Sequence, residues 1–194
     1  MNKSNYTRNE TTPQTPIHIL DEISIMPPPI DWFLHHITSS DKTSKLYSDL
    51  INGTAKAVSD GSFYPLERIG SCGWIVATSD GTQWIQGGGI IPGAPNVQSS
   101  YRSELGGQLG IASILNSIKL PIDTARQSLH VNIFCDGLSA LNTVGKDMHL
   151  IKIKDKHSDL ISITSDLWST SSFCFTSKHV RAHQDDLNRP LTVE

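Results

Sequence analysis

Apolar and polar residues follow a helical period over residues 41–52. From about residue 55 they follow a strand period instead. In the first stretch Leu46, Tyr47, Leu50 and Ile51 share one side and Asn52-Gly53 supplies a stop, which predicts a short helix. Strands are predicted over 55–60, 72–78 and 82–91, and they should form an antiparallel meander. The second and third are joined by Ser79-Asp80-Gly81, where Asp-Gly supplies the positive φ of a hairpin turn. Residues 99–118 predict a helix, with Ser99 or Ser100 as cap and Leu105, Leu109, Ala112 and Leu115 on one stripe. Gly106, Gly107 and Gly110 each cost that helix about 1 kcal/mol relative to alanine. Close approach to the sheet is the expected compensation. Leu129, Val131, Ile133 and Cys135 alternate along a fourth strand, 129–135. Strand, helix, strand in that order implies a parallel crossover. Helices over 137–145 and 157–170 and a fifth strand over 173–181 complete the pattern.

Upstream the period is lost. Residues 1–16 are rich in Asn, Thr, Pro and Gln and read as disordered. Residues 17–40, with Pro27-Pro28-Pro29, read as an irregular connector. The expected organisation is therefore an extension over 1–53 and one α/β domain over 54–194.

Composition narrows the classes without choosing among them. The 194 residues accommodate one domain of about 140 residues plus the extension. Hydrophobic content of 37% and charged content of 18% fit a soluble globular chain. A net charge of −3 counts against a pure nucleic-acid-binding module, which carries a basic excess. It counts less against an enzyme whose bound cations offset an acidic site. Cys72, Cys135 and Cys174 are too few and too scattered for a disulfide framework or a zinc site, and their neighbours suggest buried small hydrophobes. No apolar run reaches the ~18 residues that span a bilayer. Met1 to Thr15 holds no secretory signal. An intracellular, reducing setting and no membrane partner are expected.

Three carboxylates carry the chemistry. Asp60 ends the first strand, in Ala57-Val58-Ser59-Asp60-Gly61-Ser62, and Asp136 ends the fourth, in Phe134-Cys135-Asp136-Gly137. Glu104 is expected in the first turn of the helix between them. Sites in open α/β sheets form at the carboxyl ends of strands where connections diverge. If the first and fourth strands are neighbours, these groups converge. Packed carboxylates repel, and one must protonate unless a cation lies between them. Hard oxygen donors select Mg²⁺ or Mn²⁺ over zinc. Two such ions about 4 Å apart clamp the attacking and leaving oxygens of a phosphodiester.

Four segments on this skeleton resemble type 1 ribonuclease H, of the kind fused to reverse transcriptases in non-LTR-type retroelements. They are Ser59-Asp60-Gly61-Ser62-Phe63, Ser100-Tyr101-Arg102-Ser103-Glu104-Leu105, Cys135-Asp136-Gly137-Leu138-Ser139-Ala140-Leu141 and Val180-Arg181-Ala182-His183-Gln184-Asp185-Asp186. The match covers about residues 54–187. The resemblance implies an RNase H-like α/β fold: a five-stranded mixed sheet, three strands antiparallel and then parallel, with helices on both faces. It implies endonucleolytic cutting of the RNA strand of an RNA–DNA hybrid with two Mg²⁺ ions, Mn²⁺ being possible. Metal binding falls to Asp60, Glu104 and Asp136. A mobile-histidine role near the leaving group falls to His183, and contact with the RNA backbone to Gly61 and Ser62. An upstream reverse transcriptase domain is an implied partner.

Between the last two helices Lys152 and Lys154 are candidates for phosphate contact. One feature departs from the family: a fourth acidic ligand, at the start of a final helix, has no clear match before Glu194. The final helix is accordingly expected to be missing. The alternative reading is an inactive remnant that still binds nucleic acid.

Overall fold

The computed structural model describes residues 36–119, 129–144 and 156–181. Ten elements follow in chain order. They are β1 (Thr38–Ser39), α1 (Ser44–Asn52), β2 (Lys56–Tyr64), β3 (Ile69–Ala77), β4 (Trp84–Ile90), α2 (Ser100–Ser117), β5 (Leu129–Cys135), α3 (Leu138–Val144), α4 (Ser158–Thr170) and β6 (Phe173–His179).

The strands form one mixed sheet in the order β1-β4-β3-β2-β5-β6. Strands β2, β3 and β4 are the expected antiparallel meander. Strands β2, β5 and β6 then run parallel. The mixed α/β plan anticipated from the sequence is present. The first and fourth predicted strands, β2 and β5, are neighbours as the site requires. The sheet has six strands rather than five, because Thr38–Ser39 adds a two-residue edge strand beside Gln86 and Ile85. Two residues are too short to leave a period in the sequence.

A second difference bears on the site. The first predicted strand does not end at Asp60. Strand β2 continues to Tyr64 and pairs with β3 along all nine residues. Its parallel partner β5 pairs only as far as Val58 and Phe134. Asp60 therefore lies where the parallel pairing ceases, within a strand that the hairpin partner carries onward.

Helix α2 is the central element. Fifteen of its 18 residues are buried, so it is enclosed on nearly every side. Ser99 caps it, its hydroxyl accepting from the Arg102 N–H at 3.2 Å. The glycines are explained by contact: a Cβ on Gly110 would lie 2.2 Å from Trp74 Cδ1, and one on Gly107 2.8 Å from the Ser59 Cβ. The helix rests almost directly on β2 and β3.

Leu105, Leu109, Ile111, Ile114 and Leu115 pack with Trp74, Val76, Val131 and Ile133 in one core. Helix α4 adds Leu160 and Ile161 to it. Leu46 and Leu50 of α1 are fully buried in the same core, although α1 precedes the boundary expected near residue 53. Gly53 closes α1 at φ 70°.

Alternation along the strands fixes the two faces of the sheet. Gly70, Cys72, Trp74 and Val76 of β3 are buried toward α2, while Ile69, Ser71, Gly73 and Ile75 are exposed or half-buried on the other side. Cys72 and Cys135 are buried as expected, but Cys174, on the edge strand β6, is exposed. No helix of the described residues is long and apolar enough to cross a membrane.

Candidate functional site

Glu104 lies in the second turn of α2, not the first, because the helix opens at Ser100 after the Ser99 cap. It points at the carboxyl end of β5. Its Oε1 accepts from the Gly61 N–H at 3.2 Å, and its Oε2 accepts from the Cys135 thiol at 3.3 Å. Two glycines make room for it. A Cβ on Gly61 would fall 2.4 Å from the Glu104 backbone nitrogen, and one on Gly137 would fall 2.7 Å from Glu104 Cγ. Gly61 thus serves in the structure as the seat of α2, and its N–H is directed at Glu104. Ser62 beside it is exposed, and its carbonyl accepts from the Ser103 hydroxyl at 2.8 Å.

Asp136 follows β5 in the turn to α3. One oxygen each from Glu104 and Asp136, with the Cys135 sulfur, lie within 4.8 Å of one another. Asp136 Oδ1 is buried and has no hydrogen-bond partner. Buried polar atoms are normally satisfied, and among the described residues nothing satisfies this one, which leaves it open to a cation or a water. Burial raises the Glu104 carboxyl to about 7, and the Asp136 charge pushes the same way. The charge of Asp60 adds less to the rise, while the Cys135 and Gly61 hydrogen bonds oppose it. A cavity of about 360 Å³ opens beside the pair, lined by Ser100, Tyr101, Gly137 and Ser139 among others.

Asp60 is placed differently. Its neighbours Ser59 and Gly61 face α2, so its own side chain projects from the opposite face of the sheet. It is exposed there and lines a second cavity, of about 410 Å³, with Val58, Gly73 and Ile75. Its oxygens do not join Glu104 and Asp136 in a set within 4.8 Å. The structure therefore brings two of the three predicted carboxylates together and sets the third across the strand from them.

The donor set fits a hard cation. Cys135 is fully buried and its thiol is pushed up to about 12, first by burial and then by the Glu104 charge. Without a metal ion the thiol donates to Glu104, and the carboxylate oxygens of Glu104 and Asp136 are the hard donors of the set.

His183, Lys152 and Lys154 lie outside the described residues, as do Asp185, Asp186 and Glu194. Strand β6 ends beside the site: His179 Nε2 is 3.1 Å from the Asp136 carbonyl, and the Val180 N–H donates to the Cys135 carbonyl at 3.1 Å.

Sequence reasoning missed an anchor behind Glu104. Arg102 is 3% exposed and grips Asp159 of α4 with two hydrogen bonds, at 2.9 and 2.6 Å. It also donates to the Pro92 carbonyl at 2.8 and 3.2 Å. This fork holds the first turn of α2, two residues ahead of Glu104. An arginine in the opening turn of a helix that carries no other basic residue was the available signal.

No protein-family model matches the chain, and no curated protein matches it. Among solved structures it is similar to the N-terminal RNase H domain of a Mycobacterium tuberculosis protein, determined as a fusion with maltose-binding protein. That likeness has 15% identity and a TM-score of 0.42, over 69% of this chain and 87% of the other. It is also similar to RNase H1 from the halophilic archaeon Halobacterium salinarum NRC-1. There the identity is 14% and the TM-score 0.41, over 68% of this chain and 89% of the other.

Proposed function

We propose that this chain is a divalent-metal-dependent ribonuclease that cuts the RNA strand of RNA–DNA hybrids. The observation that carries the reading is the convergence of Glu104 and Asp136 at the carboxyl ends of parallel strands. There one carboxyl is driven up to about 7 and one buried oxygen stays unsatisfied. Without a cation the arrangement is costly; with one it is a coordination site. The four motif segments supply the reaction class, through their resemblance to type 1 ribonuclease H of non-LTR-type retroelements.

Asp60 fits a site with two ions better than a site with one. Ligand oxygens about 2.1 Å from a single Mg²⁺ lie at most about 4.2 Å apart. Outer ligands of a pair of ions about 4 Å apart can stand roughly twice as far from each other. Glu104 and Asp136 would hold one side, and Asp60 would reach the other from across β2. Bound ions would supply activation of water and stabilisation of the departing oxygen. Gly61, through its backbone, keeps Glu104 aimed. Ser62, exposed on the next position of β2, and the lysines Lys152 and Lys154 are the proposed contacts to the hybrid. His183 is the proposed proton carrier near the leaving group, and a reverse transcriptase domain is the proposed partner in a parent element.

The test is cleavage of an end-labelled RNA–DNA hybrid, with DNA–DNA and RNA–RNA duplexes beside it. The reading expects cuts in the RNA strand of the hybrid with Mg²⁺ or Mn²⁺, falling at least a hundredfold in Asp60→Asn. Binding of the hybrid without any cleavage would replace it with the remnant reading. Equal cutting of pure DNA would move the substrate.

A further inference from the structure

Ser59 of β2 and Gln108 of α2 meet where helix and sheet pack together, yet both are polar. Ser59 is 3% exposed and Gln108 is fully buried. Polar residues at core positions are unfavourable unless they are paired and serve a purpose. Here Gln108 Nε2 donates to the Ser59 Oγ at 2.7 Å. The Ser59 hydroxyl stands close enough to the Cys135 sulfur to act on it as a donor. The Gly137 N–H donates to the same sulfur at 3.2 Å, and the buried thiol donates to Glu104 Oε2 at 3.3 Å. Each group therefore passes its hydrogen one step along, from Gln108 to Glu104. Capacity fixes that order. A hydroxyl has a single hydrogen, and an amide that donates to Ser59 leaves this hydrogen for Cys135. A sulfur that accepts from Ser59 and Gly137 keeps its own hydrogen for Glu104. Gln108 Oε1 has no partner among the described residues. The amide thus holds its bond to Ser59 while leaving a buried acceptor unsatisfied, which packing alone does not explain.

We propose that Gln108, Ser59 and Cys135 are positioning residues, a buried donor chain that holds the Glu104 carboxylate beside Asp136. The inference rests on the reading of Glu104 and Asp136 as metal ligands and adds the residues that aim one of them. Glutamate is a long, flexible side chain, and here two donors from different strands hold its end. The Gly61 N–H of β2 holds Oε1 at 3.2 Å, and the Cys135 thiol of β5 holds Oε2. Of the roughly four acceptor sites on a carboxylate, these bonds occupy two and leave the others for a cation. The thiol is a weak donor, so it orients the carboxylate without competing strongly with an ion. Groups that hold a metal ligand in place commonly set 10–100-fold of metal affinity, roughly.

Two readouts on the full chain test this. Mn²⁺ affinity, read by water-proton relaxation, should fall by about tenfold or more in Cys135→Ala. It should return to within about threefold of the parent in Cys135→Ser, whose hydroxyl still donates to Glu104. Ser59→Ala and Gln108→Met should each weaken uptake by about threefold. In a Cys135→Ala background neither should add to the loss, because both act through the thiol. A merely structural role would shift folding and leave the affinity of the folded protein unmoved. Parent-like affinity in Cys135→Ala, equal losses in the Ala and Ser variants, or additive losses would each overturn the inference. The second readout needs no metal. With Cys72→Ala and Cys174→Ala in place, Cys135 is the only thiol, and its infrared S–H band reports its hydrogen bond. The band should move to the free-thiol position in Glu104→Ala and part of the way there in Ser59→Ala. A band that stays put in either variant would overturn the inference, whether or not Cys135→Ala folds. A band that moves in a chain that takes up no Mn²⁺ would uphold the hold on Glu104 and count against the metal reading alone.

Discussion

Glu104 is held in a state its surroundings oppose. Its carboxyl moves from an ordinary 4.5 to about 7, so in metal-free protein the folded state holds a proton that the unfolded chain has released. Below about pH 4.5 both states are protonated and the group imposes no penalty on folding. Between there and about pH 7 the unfolded chain binds fewer protons, so stability falls as pH rises. Unfolding in urea with a chelator present should show this decline, by up to about 1.4 kcal/mol per pH unit. Glu104→Gln should flatten it. An unchanged slope in that variant would mean that Glu104 is not the source. Asp136→Asn removes a repelling charge, so metal-free protein should melt at the same temperature or higher while cleavage disappears. A drop in melting temperature of several degrees would make Asp136 a structural residue. The approach of Glu104 to Asp136 was legible in the sequence, because a crossover helix between parallel strands brings both to one end of the sheet. The sequence pointed Asp60 at the same end of the sheet, but its orientation was not legible. The hairpin with β3 keeps β2 running through it, and alternation then turns its side chain to the far face. Arg102 and Asp159 lie 57 positions apart, and no local pattern links them.

Helix α2 depends on being thin where it meets the sheet. Gly→Ala inside a helix ordinarily gains about 1 kcal/mol. Here the Gly110 Cβ would lie 2.2 Å from Trp74, a side chain that is itself buried. Gly110→Ala should therefore destabilise by about 1–3 kcal/mol, as overpacking does, read by equilibrium denaturation. A stabilised variant would show that α2 stands further from β3 than described. The period of α2 and its glycines told this much in advance, since three glycines in one buried helix need a reason. Strand β1 told nothing, because Thr38–Ser39 earns its place only by pairing with β4. The ends of β2 and β3 were misjudged for a related reason. Asp60-Gly61 resembles a turn locally, yet Gly61 is in the strand because α2 presses on it.

At the scale of the molecule, the predicted carboxylates are divided between two cavities. One holds Glu104 and Asp136, and the other holds Asp60. On the proposed reading, cations bound at this edge would offset the acidity of a chain with net charge −3 where a phosphate backbone would approach. Mixed-sheet topology was the most legible feature, because strand and helix periods dictated it. The same proposal includes His183, on the motif resemblance, and Lys152 and Lys154, on the lysine-rich stretch between the last two helices.

Everything turns on whether these carboxylates hold a divalent ion. The most direct measurement is a Mn²⁺ titration of the chain, following free Mn²⁺ by electron paramagnetic resonance, beside Glu104→Gln, Asp136→Asn and Asp60→Asn. Saturable uptake by the parent chain is predicted, weakened at least tenfold by the first two variants and measurably by the third. No uptake, or uptake indifferent to Glu104 and Asp136, would contradict the account.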